Sequence, residues 1–223
     1  MDLREAISLN RDALELRPTG HPNRSVFLNH LAASLMRSFE QLGQLEDLDE
    51  AISLHRDALE LFTGGHPNRS ASLDNLANSL QTRFEQSGQL EDLDESISLY
   101  RDALELSPVG HLLRPTSLKN LAGSLQTRFR QSGQLEDLDE ATSLHRHALE
   151  LRPAGHPNRS VSLNNLAYSL QTRFGQSGQL EDLDESISLH RDALELRPVG
   201  HPNRSVSLNN LANSLQMRFE QSG

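Results

Sequence analysis

Ten histidines are the residues of this sequence best suited to bind a metal ion. Eight of them fall into two series whose members stand 45 residues, or a multiple of 45, apart: His21, His66, His111, His156 and His201, and then His55, His145 and His190. A zinc ion needs its ligands about 2 Å from one point, whereas equivalent residues of stacked repeats lie about 10 Å apart, at the usual spacing of packed helices. We therefore interpret both series as structural and predict no metal site.

A run of paired acids, Glu46-Asp47-Leu48-Asp49-Glu50, could act in general acid–base catalysis or bind a cation. The run recurs with the same 45-residue period, which no single active site would need. Helix capping explains it without chemistry, because Asp47 as N-cap and Glu50 three residues later make a capping box. There are no cysteines, and neither a Gly-rich phosphate loop nor a Ser/His/Asp order appears. We predict no enzyme activity and no cofactor.

The charge of the chain excludes two classes of partner. Its formal net charge is −10 and Lys119 is its only lysine, so it lacks the basic face with which nucleic-acid binders neutralise phosphates. An acidic membrane surface would repel it. The first residues, 1–5, lack the apolar run of a signal peptide, and no stretch approaches the roughly 18 apolar residues of a membrane span. We expect a cytoplasmic protein that binds no nucleic acid and no membrane.

A repeat positions these residues. The phrase Gly-Gln-Leu-Glu-Asp-Leu-Asp-Glu begins at Gly43, Gly88, Gly133 and Gly178. A strict period of this length is typical of a solenoid, in which each unit packs only on its neighbours. We predict a single repeat domain over 1–223, a fragment of a longer array, with these units: 2–46, 47–91, 92–136, 137–181 and 182–223. Neither end carries a polar capping helix, so we expect end-to-end association of copies as a homo-oligomer.

Each unit contains two apolar patterns of helical period. In the second unit they predict a short helix over about 47–62 and a long helix over about 67–87, with these apolar faces: Leu48, Ala51, Ile52, His55, Ala58, Leu59 and Phe62, then Leu73, Leu76, Ala77, Leu80 and Phe84. Pro67 is expected in the first turn of the long helix, and Gly88 after its end. The chain should open on a short helix near 2–17 and close on a long one near 202–222. The predicted fold is an all-α, α–α solenoid of ten antiparallel helices without strands.

Two units depart from the pattern just before the long helix. In the third unit, Pro115 should make the helix start later and leave Leu112 and Leu113 in the loop. These leucines would form either a hydrophobic staple, which we prefer, or a small contact patch. In the second unit, Phe62-Thr63-Gly64-Gly65 loses a proline and gains a glycine, which should loosen that loop.

The repeated phrases resemble a known family. Gly-His-Pro-Asn-Arg-Ser-Val-Ser-Leu-Asn-Asn-Leu-Ala at 200–212 resembles the opening helix of tetratricopeptide repeats (TPRs) of the kinesin-light-chain type, and Asp-Glu-Ala-Ile at 49–52 resembles their second helix. The resemblance covers the whole chain and implies a right-handed TPR-like superhelix with a concave, peptide-binding groove. The unit is longer than is usual in the family, because the long helix gains a turn at 81–84. The array is also similar to those that flank CHAT or nucleotide-binding modules in large fungal proteins.

The resemblance implies that one side of the long helices lines this groove, and the units of this chain differ most on that side. The variable positions are four and seven residues apart and so share one stripe, roughly 120° around the helix from the leucine seam. We call it the long-helix stripe. Its predicted peptide-binding residues are Asn29, Asp74, Asn78, Gln81, Lys119, Gln126, Arg130, Asn164, Tyr168, Gln171, Asn209, Asn213 and Gln216. The alternative is sequence drift on a solvated face.

Two functions remain after these exclusions. The first is a non-catalytic protein–protein interaction scaffold that binds a peptide or protein segment in the groove. In that case Lys119, Arg130 and Tyr168 should discriminate between partners, and the stripe glutamines could hydrogen-bond an extended peptide backbone as both donor and acceptor. The second is a structural spacer or self-assembly module that stacks end to end within a larger regulatory protein.

Overall fold

The described residues of the chain form ten α-helices that follow the 45-residue period. The computed structural model describes residues 3–62 and 65–221, and these residues contain no strand. The helices are α1 (Leu3–Glu15), α2 (Arg24–Leu42), α3 (Leu45–Glu60), α4 (Arg69–Ser87), α5 (Leu90–Glu105), α6 (Arg114–Ser132), α7 (Leu135–Glu150), α8 (Arg159–Ser177), α9 (Leu180–Glu195) and α10 (Arg204–Glu220). Odd numbers are the short helices and even numbers the long ones. The predicted all-α repeat fold of ten helices is confirmed.

The helices form two compact units, Met1–Val109 with α1 to α5 and Gly110–Gly223 with α6 to α10. From here on, these are the first unit and the second unit, and the five units read from the sequence are called sequence units. Within each unit, a helix packs on the helices before and after it in the sequence. A long helix contacts the following short helix more extensively than the preceding one. The repeating element of packing is therefore a long helix and the short helix after it. We call this pair a repeat; the first is α2–α3, the second α4–α5, the third α6–α7 and the fourth α8–α9. The borders of the five sequence units, which open on the short helix, stay a prediction.

Apolar side chains from three consecutive helices make up the core. In the first unit Phe39 of α2, Leu48 and Ile52 of α3, and Leu76 and Leu80 of α4 form one cluster. The helical period places these residues on the faces that meet, so burial follows from spacing alone. Each fully buried leucine contributes on the order of 2 kcal/mol of transfer free energy. The apolar faces read from the sequence are therefore the packed ones.

A two-residue joint connects each long helix to the next short one. Gly88 has a φ of 71°, in the left-handed region, and its N–H donates to Phe84 O at 2.7 Å, which ends α4. Gln89 is extended, and α5 begins directly after it. The predicted glycine stop is confirmed, but the predicted capping box is wrong. The N-cap of α3 is Gln44 without a side-chain hydrogen bond, and Asp47 already lies inside the helix, because the joint leaves no room for a later start.

One glycine inside α6 and one at its C-terminal end make a matched pair for a stability measurement. Gly133 has a φ of 73°, whereas Gly123 lies within α6, and a Cβ added at either would meet no atom within 4 Å. We expect Gly133→Ala to lower the free energy of unfolding by about 1–2 kcal/mol, because an L-residue is strained in the left-handed region. Gly123→Ala should raise it by about 0.5–1 kcal/mol through helix propensity. Urea unfolding of both variants checks the signs, and two changes of the same sign would contradict this reading.

The long helices begin two residues later than predicted. Asn68 is the N-cap of α4 and the helix starts at Arg69, so Pro67 lies in the turn before it. The later start that Pro115 predicted for the long helix of the third sequence unit, 92–136, is wrong. α6 begins at Arg114, in register with the other long helices, and Pro115 takes an early position whose N–H would be unpaired anyway.

The leucines before α6 are in the loop, as predicted, but they do not form a staple. Leu112 is 89% exposed and so cannot pack on the first turns of α6. The predicted looseness of the loop at 62–65 concerns Thr63 and Gly64, which lie outside the described residues. Asp2, Ser222 and Gly223 at the predicted helix ends also lie outside them.

Candidate binding face on the long helices

The loop before each long helix is held by its own polar side chains. Arg69 donates from Nη1 to the carbonyls of Leu59, at 3.3 Å, and Phe62, at 2.8 Å, and so caps the C-terminal end of α3 with a cation. The N–H of Asn68 donates to Nδ1 of His66 at 3.1 Å. In the second unit Arg159 donates to Arg152 O at 2.5 Å, and the N–H of Asn158 donates to Nδ1 of His156 at 3.1 Å. The loop histidines therefore serve the turn.

An arginine near the end of the long helix ties together the short helices on either side of it. Arg83 of α4 makes a two-pronged contact with Asp92 of α5, at 2.8 and 2.6 Å, and reaches Asp49 of α3 at 3.1 Å. We call this contact the arginine bridge. Arg173 repeats it with Asp182, at 2.7 and 2.6 Å. Asp92 and Asp182 are buried, so the paired acids of the sequence hold the helices together.

The first position of the long-helix stripe faces a buried histidine of the next short helix. Asn29 Oδ1 lies 2.9 Å from Nδ1 of His55, and Asn29 Nδ2 donates to Ser72 Oγ at 3.0 Å. In the second unit Asn164 Oδ1 lies 3.0 Å from Nδ1 of His190. Burial lowers the pKa of both histidines to about 4. The amides of Asn29 and Asn164 are thus engaged inside the array.

The second repeat replaces this pair with a different one. Tyr100 stands where α3, α7 and α9 have histidine and α1 has asparagine, and its OH donates to Asn78 Oδ1 at 2.7 Å. Burial, with the nearby charges of Asp74 and Glu85, raises the pKa of Tyr100. Asp74 and Asn78, both members of the stripe, therefore support a buried phenol.

In the third repeat the same stripe position carries Lys119, which is half-buried. Burial and the charge of Arg152 lower its pKa. Burial, and then the charge of Lys119, lower the pKa of His145 in α7 to about 4. Lys119 is therefore close enough to His145 and Arg152 for its charge to act on theirs.

The rest of the stripe is more accessible. Tyr168 is 49% exposed, and Arg130, Asn209, Asn213 and Gln216 are exposed as well. The other glutamines are half-buried: Gln81 donates to Glu85 at 3.3 Å, Gln171 lies 2.8 Å from Met217 Sδ, and Nε2 of Gln126 has no hydrogen-bond partner among the described residues. The stripe thus divides into an inner row at 29, 74, 119 and 164 and an outer part, which is exposed except for the half-buried glutamines at 81, 126 and 171.

The repeat sequence also matches a known family. Residues 69–111 match the tetratricopeptide repeat family, and that stretch recurs along the chain at 45-residue spacing. The chain has the fold of a tetratricopeptide repeat (TPR) array. None of the curated proteins matches this TPR array. The TPR fold is that of a protein-interaction scaffold in general.

Solved structures support the fold of the TPR array over most of its length. It is similar to a kinesin-light-chain protein from Podosopora anserina that is built of nearly identical TPR-like repeats. The two share 21% identity and a TM-score of 0.68, over 92% of this chain and 91% of that one. It is also similar to BtubC (BKLC) from P. vanneervenii, at 19% identity and 0.67, over 97% and 84%. YrrB, a TPR protein with an unusual peptide-binding site, matches at 19% and 0.55, over 86% and 82%.

The TPR array has two features that the sequence interpretation missed but that the sequence contains. The arginine bridge appears as an arginine nine residues before an aspartate, at Arg83, Arg128 and Arg173, and the first repeat has Ser38 instead. The pairing of the inner row with the short helix appears as a correlated change in two helices: Asp74 replaces the asparagine found at Asn29, and Tyr100 of the following short helix replaces the histidine found at His55. Both signals are correlations between helices, which the spacing within one helix does not reveal.

The described part of the TPR array offers neither a metal site nor a membrane-spanning helix. Residues 3–62 and 65–221 contain no group of three His, Cys, Asp or Glu side chains placed to hold a metal ion. No helix among them is long and apolar enough to cross a bilayer.

Proposed function

We propose that the array is a non-catalytic scaffold whose long-helix stripe binds a peptide or protein segment. The observation that carries this proposal is the contrast between two rows of the same helices. The seam leucines Leu73, Leu118 and Leu163 are identical and buried, whereas the exposed stripe positions differ from unit to unit. Tyr168 is the one aromatic residue of the stripe, and half-exposed tyrosines are frequent anchors of interfaces.

The internal hydrogen bonds narrow the contact set. Asn29, Asn78 and Asn164 are bonded within the array, so a ligand would have to displace those bonds to use them. Tyr168 and Arg130, both in the second unit, are exposed and remain as discriminating residues. The fold of YrrB, a TPR protein with a peptide-binding site, is similar and supports the proposal at the level of architecture.

A peptide-display selection tests the proposal. Random peptides would be selected on the full chain, and their affinities measured by calorimetry on Tyr168→Asn, which installs the amide present at Asn78 and Asn213. We expect a loss of at least tenfold in affinity, because truncating an aromatic anchor typically costs more than about 1.4 kcal/mol. Val199→Asn, at a 91% exposed loop residue, is the matched control and should change nothing. Selected peptides that bind Tyr168→Asn and the parent chain equally well would argue against the stripe.

A second candidate function, end-to-end self-assembly, is favoured by the exposed apolar face of α10. Phe219 is 80% exposed, whereas its equivalent Phe174 is 6% exposed beneath the following short helix. Leu208 is exposed too, whereas Leu163 is buried. In this proposal the short helix α1 of a second copy covers α10.

Charge reversal tests the assembly directly. Arg146 pairs with Glu185 at 2.6 Å between successive short helices, and the same geometry would pair Arg191 with Glu5 of the next copy. Light scattering should give a concentration-dependent mass that falls for Arg191→Glu or Glu5→Arg and recovers when both are present in one chain. A monomeric parent chain at all concentrations would remove this candidate. The likeness to arrays beside CHAT modules and a cytoplasmic location stay predictions.

A further inference from the structure

At two of its four positions, Asn29 and Asn164, the inner row of the stripe carries an amide, which supplies both a hydrogen-bond acceptor and a donor. In the first unit, the Asn29 amide meets this requirement, because its oxygen faces the imidazole of His55 and its nitrogen donates to Ser72 Oγ. The position therefore sits among α2, α3 and α4, with a histidine on one side and a serine hydroxyl on the other.

The second unit breaks this balance at Lys119 of α6. Lysine carries three donors and no acceptor. His145, the equivalent of His55, is buried, and its ring makes no hydrogen bond to any of the described residues. Lys119 likewise forms no hydrogen bond or ion pair within the described part of the chain, although its charge acts on both His145 and Arg152.

Arg152 adds a second cation at the same place. Its Nη1 donates to Ser162 Oγ at 2.6 Å, and Ser162 is the equivalent of Ser72, the hydroxyl that Asn29 reaches in the first unit. Arg152 is 4% exposed, and its Nε is buried without a partner among the described residues. No carboxylate pairs with it in residues 3–62 and 65–221. Burial lowers its pKa.

The neighbouring repeat pair of the same unit has an amide in place of the lysine, although Nε2 of its histidine, His190, is buried without a hydrogen-bond partner among the described residues. There the inner-row residue is Asn164, whose amide is paired with His190 and with Ser160 O. The equivalent arginine, Arg197, donates to Ser160 Oγ, Asn203 O and Ser207 Oγ. The excess of donors is thus specific to Lys119, His145 and Arg152, which we call the donor cluster.

We propose that the donor cluster is a binding site for an anionic oxygen group, a phosphate or a carboxylate. Two cations without an acidic partner, one of them buried, are costly unless an anion joins them. A guanidinium supplies a planar fork and an ammonium a mobile point charge, which is the usual pair for such groups. Lys119 is only half-buried, so solvent reaches the cluster along its side chain. The site can bind an anion without a bound peptide. The anionic group has two possible sources, an acidic side chain of a peptide and free phosphate.

Inorganic phosphate is the first probe, used on the full chain. With phosphate several times above the dissociation constant, we expect Tm to rise by about 2–4 °C over sodium chloride of equal ionic strength. The ring signals of His145 should shift in the NMR spectrum, and those of His190 should not. Lys119→Asn, which restores the amide found at Asn29 and Asn164, should abolish both responses while the array stays folded.

The second arm separates the sources. An end-capped peptide that contains glutamates should shift the same His145 signals if the anion comes from a peptide, and phosphate alone should do so if it comes from solution. The proposal is overturned if Lys119→Asn keeps the full phosphate response, or if neither probe exceeds chloride. Tyr168→Asn should leave the phosphate response unchanged, so a failure of the peptide-binding proposal is distinguishable from a failure of this site.

Discussion

Lowering the pH from 7.5 to 5 should reduce the free energy of unfolding by about 2 kcal/mol for each of the three buried histidines. His55, His145 and His190 have native pKa values of about 4, set first by burial, against an ordinary value of 6.5. Between these values the unfolded chain binds more protons than the native one. The stabilisation is therefore complete above about pH 6.5 and is lost as the pH falls towards 4.

The two units should respond unequally, because His145 and His190 lie in the second and His55 alone in the first. Urea unfolding at pH 7.5, 6 and 5, followed by amide hydrogen exchange for each unit, measures the difference. His190→Gln, which can keep the hydrogen bond to Asn164, should remove about a third of the pH dependence. His30→Gln, at an exposed residue of α2, is the control and should leave it unchanged. Equal slopes for the parent chain and His190→Gln would refute the assignment.

Breaking an arginine bridge should cost about 2 kcal/mol. Asp182→Ala removes a buried carboxylate and leaves Arg173 with only Asp139, 3.6 Å away. A fully buried pair would cost about 3–5 kcal/mol, but the Arg173 side chain is 30% exposed, so solvent screening reduces the loss. A double-mutant cycle with Arg173→Ala in urea unfolding measures the coupling between the two side chains.

The first repeat supplies the matched control for this measurement. Asp47 has the same place in α3 that Asp182 has in α9, but Ser38 replaces the arginine, and Asp47 forms no ion pair with the described residues. Asp47→Ala should therefore cost less than about 0.5 kcal/mol. Ser38→Arg should add stability by supplying the missing partner. If Asp47→Ala costs as much as Asp182→Ala, helix-end electrostatics and not the bridge explains the acids.

The helices were predictable because their apolar period is regular over many units. The periodicity alone identified Leu48, Ile52, Leu76 and Leu80 as core residues, and all four are buried. The short helices begin two residues earlier than predicted. The cause is local geometry: a left-handed glycine and one extended residue are enough to begin α5, so the acids that looked like caps already lie inside the helix.

The stripe was predictable as a surface but not as two rows. Spacing at 100° per residue puts Asn29 and the residue four positions later, Ala33, on one side of α2. Only the approach of α3 decides that Asn29 meets His55 while Ala33 stays exposed. Helix–helix contact depends on the crossing of neighbours, which one helix's sequence does not contain. The same limit concealed the arginine bridge, which joins three helices, and the donor cluster, which joins α6, α7 and the loop after α7.

The two kinds of connection in this array differ in their tolerance of length change. From Leu42 to Leu45 the chain has only Gly43 and Gln44, whereas residues 61–68 link α3 to α4. One extra residue in the short joint would turn the following helix by about 100° and carry its leucines away from their partners. The long loop can absorb extra residues at a small entropic cost. Insertions, epitope tags and the crossover points of gene duplication therefore belong in the loops before the long helices.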